Sequence, residues 1–284
     1  MPVELLRYIA NNDRREILNE VSPSMDLAHF VASYTILNKV QSAESIALND
    51  GVPTIVVLSR NTSVATFTTG QASWLVKGAW FCGQYIKNSR ISISDDLEYL
   101  IIIRLKPTIL KHITTQATQH FSTRPAFELQ HLFGKWADKL VESFSDAKQP
   151  ASIISSFERF IRRHYIKAVW RNGLLEESVE SIRFEKGNVE IRSVANKLNV
   201  SYKWLERNFK SHIGVSPKEY ARLQRIIHIY DNLKASKRRN LLSIAVKNGL
   251  YDENHLIKEF KFFFGETPNK YLNTSKRQFD FNTL

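Results

Sequence analysis

The sequence predicts an α+β chain: a small β-barrel-like domain with flanking helices, followed by an all-α region built as a double helix-turn-helix. Three observations predict this. Short β-rich runs crowd between Ser45 and Leu105; the apolar period turns helical from about Pro125; and the last hundred residues repeat themselves at a spacing of 51. The expected boundary falls near residue 170, giving 1–170 as a sensor or dimerisation domain and 171–284 as the double helix-turn-helix.

The 284 residues suffice for two domains, each with its own core. Lysine and arginine exceed aspartate and glutamate by 12, and such an excess favours polyanionic partners by displacing counterions condensed on phosphate. The excess does not locate a site, because 20 basic residues face 13 acidic ones after residue 171 and 20 face 15 before it. The N-terminus is interrupted by Arg7, Asp13, Arg14 and Arg15, unlike a signal peptide. The most apolar run, Tyr99 to Ile103, is strand length, so no membrane partner and a cytoplasmic location are expected. The single cysteine, Cys82, excludes an internal disulfide and reads as a buried small apolar residue. The eight histidines are scattered, with no i, i+4 pair. Neither a glycine-rich phosphate loop nor a Gly-x-Ser-x-Gly elbow occurs, so no enzyme, metal or cofactor is expected. A DNA-repair alkyltransferase fusion would need a reactive cysteine and a cysteine-rich zinc domain, which Cys82 alone does not provide.

In the first part, a helix is expected around Leu27 to Thr35 after Ser22-Pro23-Ser24. Strands are expected at Pro53–Leu58, Val64–Thr68, Ala79–Phe81 and Glu98–Leu105, with turns at Asn49-Asp50-Gly51 and Thr69-Gly70. Leu129, Leu132, Phe133, Trp136, Leu140, Val141 and Phe144 form one continuous helical stripe, stopped by Lys148-Gln149-Pro150. A second stripe runs through Ile153, Ile154, Phe157, Phe160 and Ile161. These stripes are intramolecular core or, alternatively, the seam of a homodimer. Trp74, Trp80, Phe81 and Tyr85 either line an apolar effector pocket, with Trp74, Trp80 and Tyr85 as candidate residues, or fill the core.

In the second part, Leu205, Phe209, Lys210, Gly214, Pro217 and Tyr220 recur as Leu256, Phe260, Lys261, Gly265, Pro268 and Tyr271. Ala195 matches Ala245 once one residue is added to the turn. In the first copy, Ile191, Val194, Ala195 and Leu198 face inward and Asn199-Val200 turns. Ser201 caps the next helix, and Gly214 ends it in the left-handed conformation. With Leu205 and Phe209 inside, Lys203, Glu206, Arg207 and Lys210 fall outside, suited to base edges and phosphates of a major groove. In the second copy, Asn248-Gly249 turns, Asp252 caps, and Leu256 and Phe260 are buried. Glu253, Asn254, Ile257, Lys258 and Lys261 are left outside. Asn254 can pair with adenine and Ile257 can touch a thymine methyl. Between the copies, Lys218 to Lys234 reads as one helix with Leu223, Ile226, Ile227 and Tyr230 inward. It is a rigid spacer of the size needed to hold two reading helices in successive groove segments. Lys237-Arg238-Arg239 is a solvated cluster or a phosphate contact.

The run Gly249-Leu250-Tyr251-Asp252-Glu253-Asn254-His255-Leu256 through Phe260-Lys261 and Gly265-Glu266-Thr267-Pro268-Asn269-Lys270-Tyr271 resembles the signature of AraC/XylS-type regulators. Ala195 through Ser201-Tyr202-Lys203-Trp204-Leu205-Glu206-Arg207 to Gly214-Val215-Ser216-Pro217 is similar to that family's first motif. The resemblance covers about Leu174 to Leu272. It implies seven helices in two subdomains joined by a long helix, and binding to promoter DNA as activator or repressor, with RNA polymerase as a partner. It assigns base reading to Lys203, Glu206 and Arg207, and to Glu253, Asn254 and Lys258, with His255 near phosphate. Leu250, Tyr251, Asn199 and the Glu253-Asn254 pair depart from the usual residues, which leaves the target sequence open. The N-terminal part more loosely resembles the cupin-like sensor domains of such regulators, implying a small-molecule effector, homodimerisation or both. Control by a protein partner is the alternative.

Overall fold

The computed structural model describes residues 18–40, 43–46, 50–70, 72–84, 88–165, 172–235 and 240–273. Its N-terminal part has three layers, and the middle one explains the most apolar stretch of the sequence. Strand β9 (Leu97–Leu105) lies inside a six-stranded antiparallel sheet with β1 (Leu18–Val21), β2 (Val31–Val40), β4 (Thr54–Leu58), β7 (Ala79–Cys82) and β10 (Phe127–Glu128), in the order β1-β2-β9-β4-β7-β10. Alternate residues of one strand point to opposite faces. Tyr99, Ile101, Ile103 and Leu105 therefore pack against helices, while Leu100 and Ile102 face the second sheet. Strand β4 divides the same way, Ile55 and Val57 to the helices and Val56 and Leu58 to the sheet. Buried on both sides, these strands have no polar face and read as continuous apolar runs.

The second sheet has four strands, β3 (Ala43–Ile46), β8 (Arg90–Ile93), β5 (Val64–Thr69) and β6 (Ala72–Lys77), in the order β3-β8-β5-β6. Among the described residues the two sheets remain separate, so of the barrel-like and sandwich arrangements that the short strands suggest the chain takes stacked sheets, with helices on one side. The helical layer holds α1 (Leu110–Ile113), α2 (Leu129–Phe133), α3 (Ala137–Ser145) and α4 (Pro150–His164). Their stripes bury Leu132, Phe133, Leu140, Phe144, Ile153, Phe157 and Ile161 against the six-stranded sheet, so both are core of this chain.

Two local expectations are corrected here. Residues 27–35 are not helical: a 3₁₀ turn at Met25–Leu27 leads into strand β2. β2 pairs with β1 on one side and β9 on the other, placing Tyr34 opposite Ile103 and Ile36 opposite Ile101. That two-sided pairing suits the β-branched and aromatic residues Val31, Tyr34, Thr35 and Ile36. The stripe from Leu129 to Phe144 is also not one helix. Gly134, at φ 55°, separates α2 from α3 through a 3₁₀ turn at Gly134–Trp136.

The C-terminal part is helical: α5 (Gly173–Phe184), α6 (Ile191–Lys197), α7 (Tyr202–Asn208), α8 (Pro217–Ala235), α9 (Leu241–Lys247) and α10 (Glu253–Phe264), with residues 268–273 also helical. Two cores form around the long helix α8. Its first turns give Tyr220 and Ala221 to a cluster with Leu175, Val179, Ile191, Val194, Leu205 and Phe209. Its later turns give Leu223, Ile226, Ile229, Tyr230 and Leu233 to a cluster with Leu241, Ile244, Leu256, Phe260 and Tyr271. At 1.5 Å per residue, 19 residues make α8 about 28 Å long. No helix among the described residues is long and apolar enough to cross a membrane.

Candidate nucleic-acid interface

Each module presents its second helix by the same local chemistry. Ser201 leaves the turn extended and its Oγ accepts from the Trp204 backbone N–H at 3.0 Å, starting α7. Asp252, 51 residues on, accepts from the His255 N–H at 2.7 Å, starting α10. These caps satisfy amide groups that have no partner within the helix. In the turns before them, Asn199 takes φ 51° and Gly249 takes φ 70°, so the asparagine adopts the left-handed geometry that its glycine counterpart supplies. At the far ends, Gly214 (φ 97°) and Gly265 (φ 79°) close the helices in that same region. Helix α7 differs from α10 in one respect. After Asn208 it widens into a π-helical turn, Phe209–Ile213, so Lys210 sits on that turn rather than on regular α-helix.

The caps and the buried pairs Leu205/Phe209 and Leu256/Phe260 fix which side faces out. Lys203, Arg207 and Lys210 are exposed and Glu206 is half-buried; Glu253, Asn254, His255, Lys258 and Lys261 are all exposed. Within these faces Lys210 Nζ lies 2.8 Å from Glu206 Oε1, and that carboxylate raises the lysine pKa. Among the described residues Lys203, Arg207, Lys258 and Lys261 form no ion pair, which leaves their charge available to phosphate.

Residues of α8 not singled out in the sequence complete the surface. A groove of about 630 Å³ between the modules is bordered by Tyr202 of α7, by Lys218, Arg222 and Arg225 of α8, and by His255 and Glu259 of α10. A neighbouring hollow joins Glu206 and Lys210 to Lys218 and Arg222. Arg222 Nε donates to Glu259 Oε2 at 2.6 Å, and its guanidinium lies 4.3 Å from the Phe262 ring centre, tying α8 to α10. The signal for these residues was present in their spacing: Lys218, Arg222 and Arg225 recur at four and three, on one helical face.

Of the candidate effector residues, the structure describes Trp74 and Trp80. Trp80 is completely buried between the sheets, with its ring edge-on to Phe67 at 6.0 Å. Trp74, on β6, is half-buried against the same cluster, and Tyr85 lies outside the described residues. Cys82 is buried and free, and burial pushes its thiol pKa up. Lys237, Arg238 and Arg239 also lie outside the described residues.

Two capped helices, each packed on the helix before it and joined through α8, define a protein of the double helix-turn-helix, DNA-binding class. Comparison with known proteins identifies the second part: residues 194–274 match the model of a helix-turn-helix domain, and this region is a helix-turn-helix of the AraC type. Residues 19–125 match a domain of unknown function (DUF6597). The regulatory protein HrpB of Ralstonia nicotianae is 31% identical over 88 residues, covering 30% of this chain. The match spans only 18% of the length of that relative. Among solved structures, ToxT from Vibrio cholerae aligns with 84% of this chain and 97% of its own at 12% identity, TM-score 0.45. The AraC-like transcriptional activator CuxR aligns with 75% and 87% at 11% identity, TM-score 0.31.

Proposed function

We propose that the chain controls transcription by binding a specific duplex site, reading two successive major-groove segments with α7 and α10. In this reading Lys203, Glu206, Arg207 and Lys210 meet the first segment. Glu253, Asn254, Lys258 and Lys261 meet the second, with His255 toward phosphate. Lys218 lies at the start of the helix between them, placed for the intervening backbone. The observation that carries the proposal is the equivalent capping of the two helices, whose outer faces border a common groove alongside α8. A spacer of about 28 Å suits two groove segments roughly 34 Å apart on one DNA face. Selection of duplexes from a random library by the full chain, followed by cleavage footprinting, tests this. Two protected patches one helical turn apart are expected; a single patch, or no preferred sequence, overturns it.

The N-terminal part supplies the control, in domains divided near residue 170. A small-molecule effector would act through Trp74, Trp80 and Tyr85. Control by a protein partner is favoured by one observation: Trp80 is wholly enclosed by this chain's own side chains and fills the core rather than bordering a space. Thermal melting of the full chain with a metabolite panel separates the two, since a specific effector raises the midpoint. RNA polymerase belongs to the proposal as the partner through which a bound regulator acts. A second copy of the chain would have to pair through surfaces other than the α2–α4 stripes, which are buried.

A further inference from the structure

The N-terminal part touches both reading helices at the same place in the repeat. Gly214 and Gly265 are equivalent residues, 51 apart, each closing its helix with a positive φ. A Cβ added to Gly214 would lie 2.7 Å from the carbonyl oxygen of Thr118. One added to Gly265 would collide with Nδ2 of Asn88. Thr118 sits in the 3₁₀ turn Thr118–Ser122 and Asn88 in the approach to β8, so both come from the sheet-bearing part of the chain. Thr118 does more than pack. Its Oγ1 donates to the backbone carbonyl of Lys210 at 2.7 Å, and the residue is only 3% exposed. That carbonyl belongs to the last turn of the first reading helix, where acceptors have no partner along the helix. The N-terminal part thus supplies the missing hydrogen bond at one helix end and a side-chain stop at the other. A third contact fixes α8 itself: Gln224 Nε2 donates to the Asp50 carbonyl at 2.9 Å, and Gly51 approaches the Tyr220 ring closely.

The two modules contact each other where Asn188 meets Gly249, and α8 contributes to both of their cores. Bracing both helix ends from a third body removes the remaining freedom of one module to swing relative to the other. We propose that Thr118 and Asn88 are positioning residues that set the separation of the two reading helices, so that the N-terminal part determines which operator spacing the chain accepts. This rests on the two-segment reading above.

The test uses the full chain, a duplex selected by it from a random library, and derivatives with one base pair added or removed between the two segments. One base pair displaces the second segment by about 3.4 Å and a tenth of a helical turn. Wild type is expected to lose binding more than about 30-fold on either change, about 2 kcal/mol. Thr118→Val with Asn88→Ala is expected to lose less than about 5-fold while keeping its affinity for the original spacing within about 3-fold. Thr118→Ser, which keeps the donor, is expected to retain the wild-type spacing profile. Should Thr118→Val fail to fold, Asn88→Ala alone is expected to relax the profile toward tolerance. Identical spacing profiles in wild type and variants overturn the proposal while leaving the two-segment reading intact. A wild type indifferent to spacing, with one protected patch, overturns both.

Discussion

Arg207 projects from α7 without a carboxylate partner, whereas Lys210 one turn on is engaged by Glu206. The free guanidinium is therefore the better candidate for a base edge, because it can offer two parallel donors without first breaking an ion pair. Arg207→Ala is expected to weaken binding to the selected duplex by about 1–3 kcal/mol and relax preference at one base pair. Titrations against a panel of single-position variants check this, and unchanged affinity and preference would remove Arg207 from the reading face. The cap residues make a different prediction. Asp252→Ala withdraws the acceptor of the His255 amide and is expected to cost about 1 kcal/mol of stability, seen as a lowered denaturation midpoint. Residue identity made these roles legible: Ser201, Asp252, Gly214 and Gly265 are the types that helix ends require. Asn199 also fits, since asparagine is the non-glycine residue that best tolerates the left-handed region. Arg222 was not legible in this way, because its partner Glu259 is 37 positions distant and on another helix.

Among elements, α10 depends on one ring more than on any other. Phe260 has no exposed surface, stacks on Phe264 at 4.1 Å between ring centres and meets Tyr271 at 5.7 Å. Phe260→Ala is expected to cost about 3–5 kcal/mol and unfold the second module. Circular dichroism would show the lost helix, and an intact spectrum with an unchanged midpoint would mean the inward face of α10 lies elsewhere. The helical modules were readable because their contacts are local and follow a period of 3.6. Strands β1, β2, β3, β6, β8 and β10 were not, because a strand is stabilised by neighbours far away in sequence. The partner of Ile36 is Ile101, and no feature of residues 27–35 announces it. A break such as Gly134 is similarly invisible in an apolar stripe that keeps its register on both sides.

At the scale of the whole molecule, the N-terminal part meets the first helix-turn-helix at a junction that carries two imidazoles. His212, on the π-helical turn, donates Nδ1–H to the Asn208 carbonyl at 3.1 Å, and its ring centre lies 5.9 Å from that of His112 on α1. Burial lowers the His212 pKa below its usual 6.5; the Asn208 bond opposes it, and the nearby charges of Lys111 and His112 add smaller downward effects. Burial and Lys111 lower that of His112 as well. Between the lowered values and 6.5 the unfolded chain binds more protons than the folded one, so stability rises with pH across that window. The junction's contribution is complete above about pH 6.5 and is lost as pH falls below it. The melting midpoint is therefore expected to drop on acidification from about pH 7.5 to about pH 5.5, and less so in His112→Asn. Equal drops in wild type and variant would exclude the pair as the cause.

The amino-acid order by itself determined the double helix-turn-helix, its caps and its inward and outward faces. All of these follow from short-range periodicity and from residues whose conformational preferences are strong. Only the tertiary structure decided that the N-terminal part is two stacked sheets beneath a helical layer, that Trp80 belongs to its interior, and that Thr118 and Asn88 rest against the ends of the second helix of each module. Those outcomes depend on which distant surfaces meet. Hydrophobic burial drives such meetings without direction, so their geometry is set by the packing of the complete chain and not by any one segment.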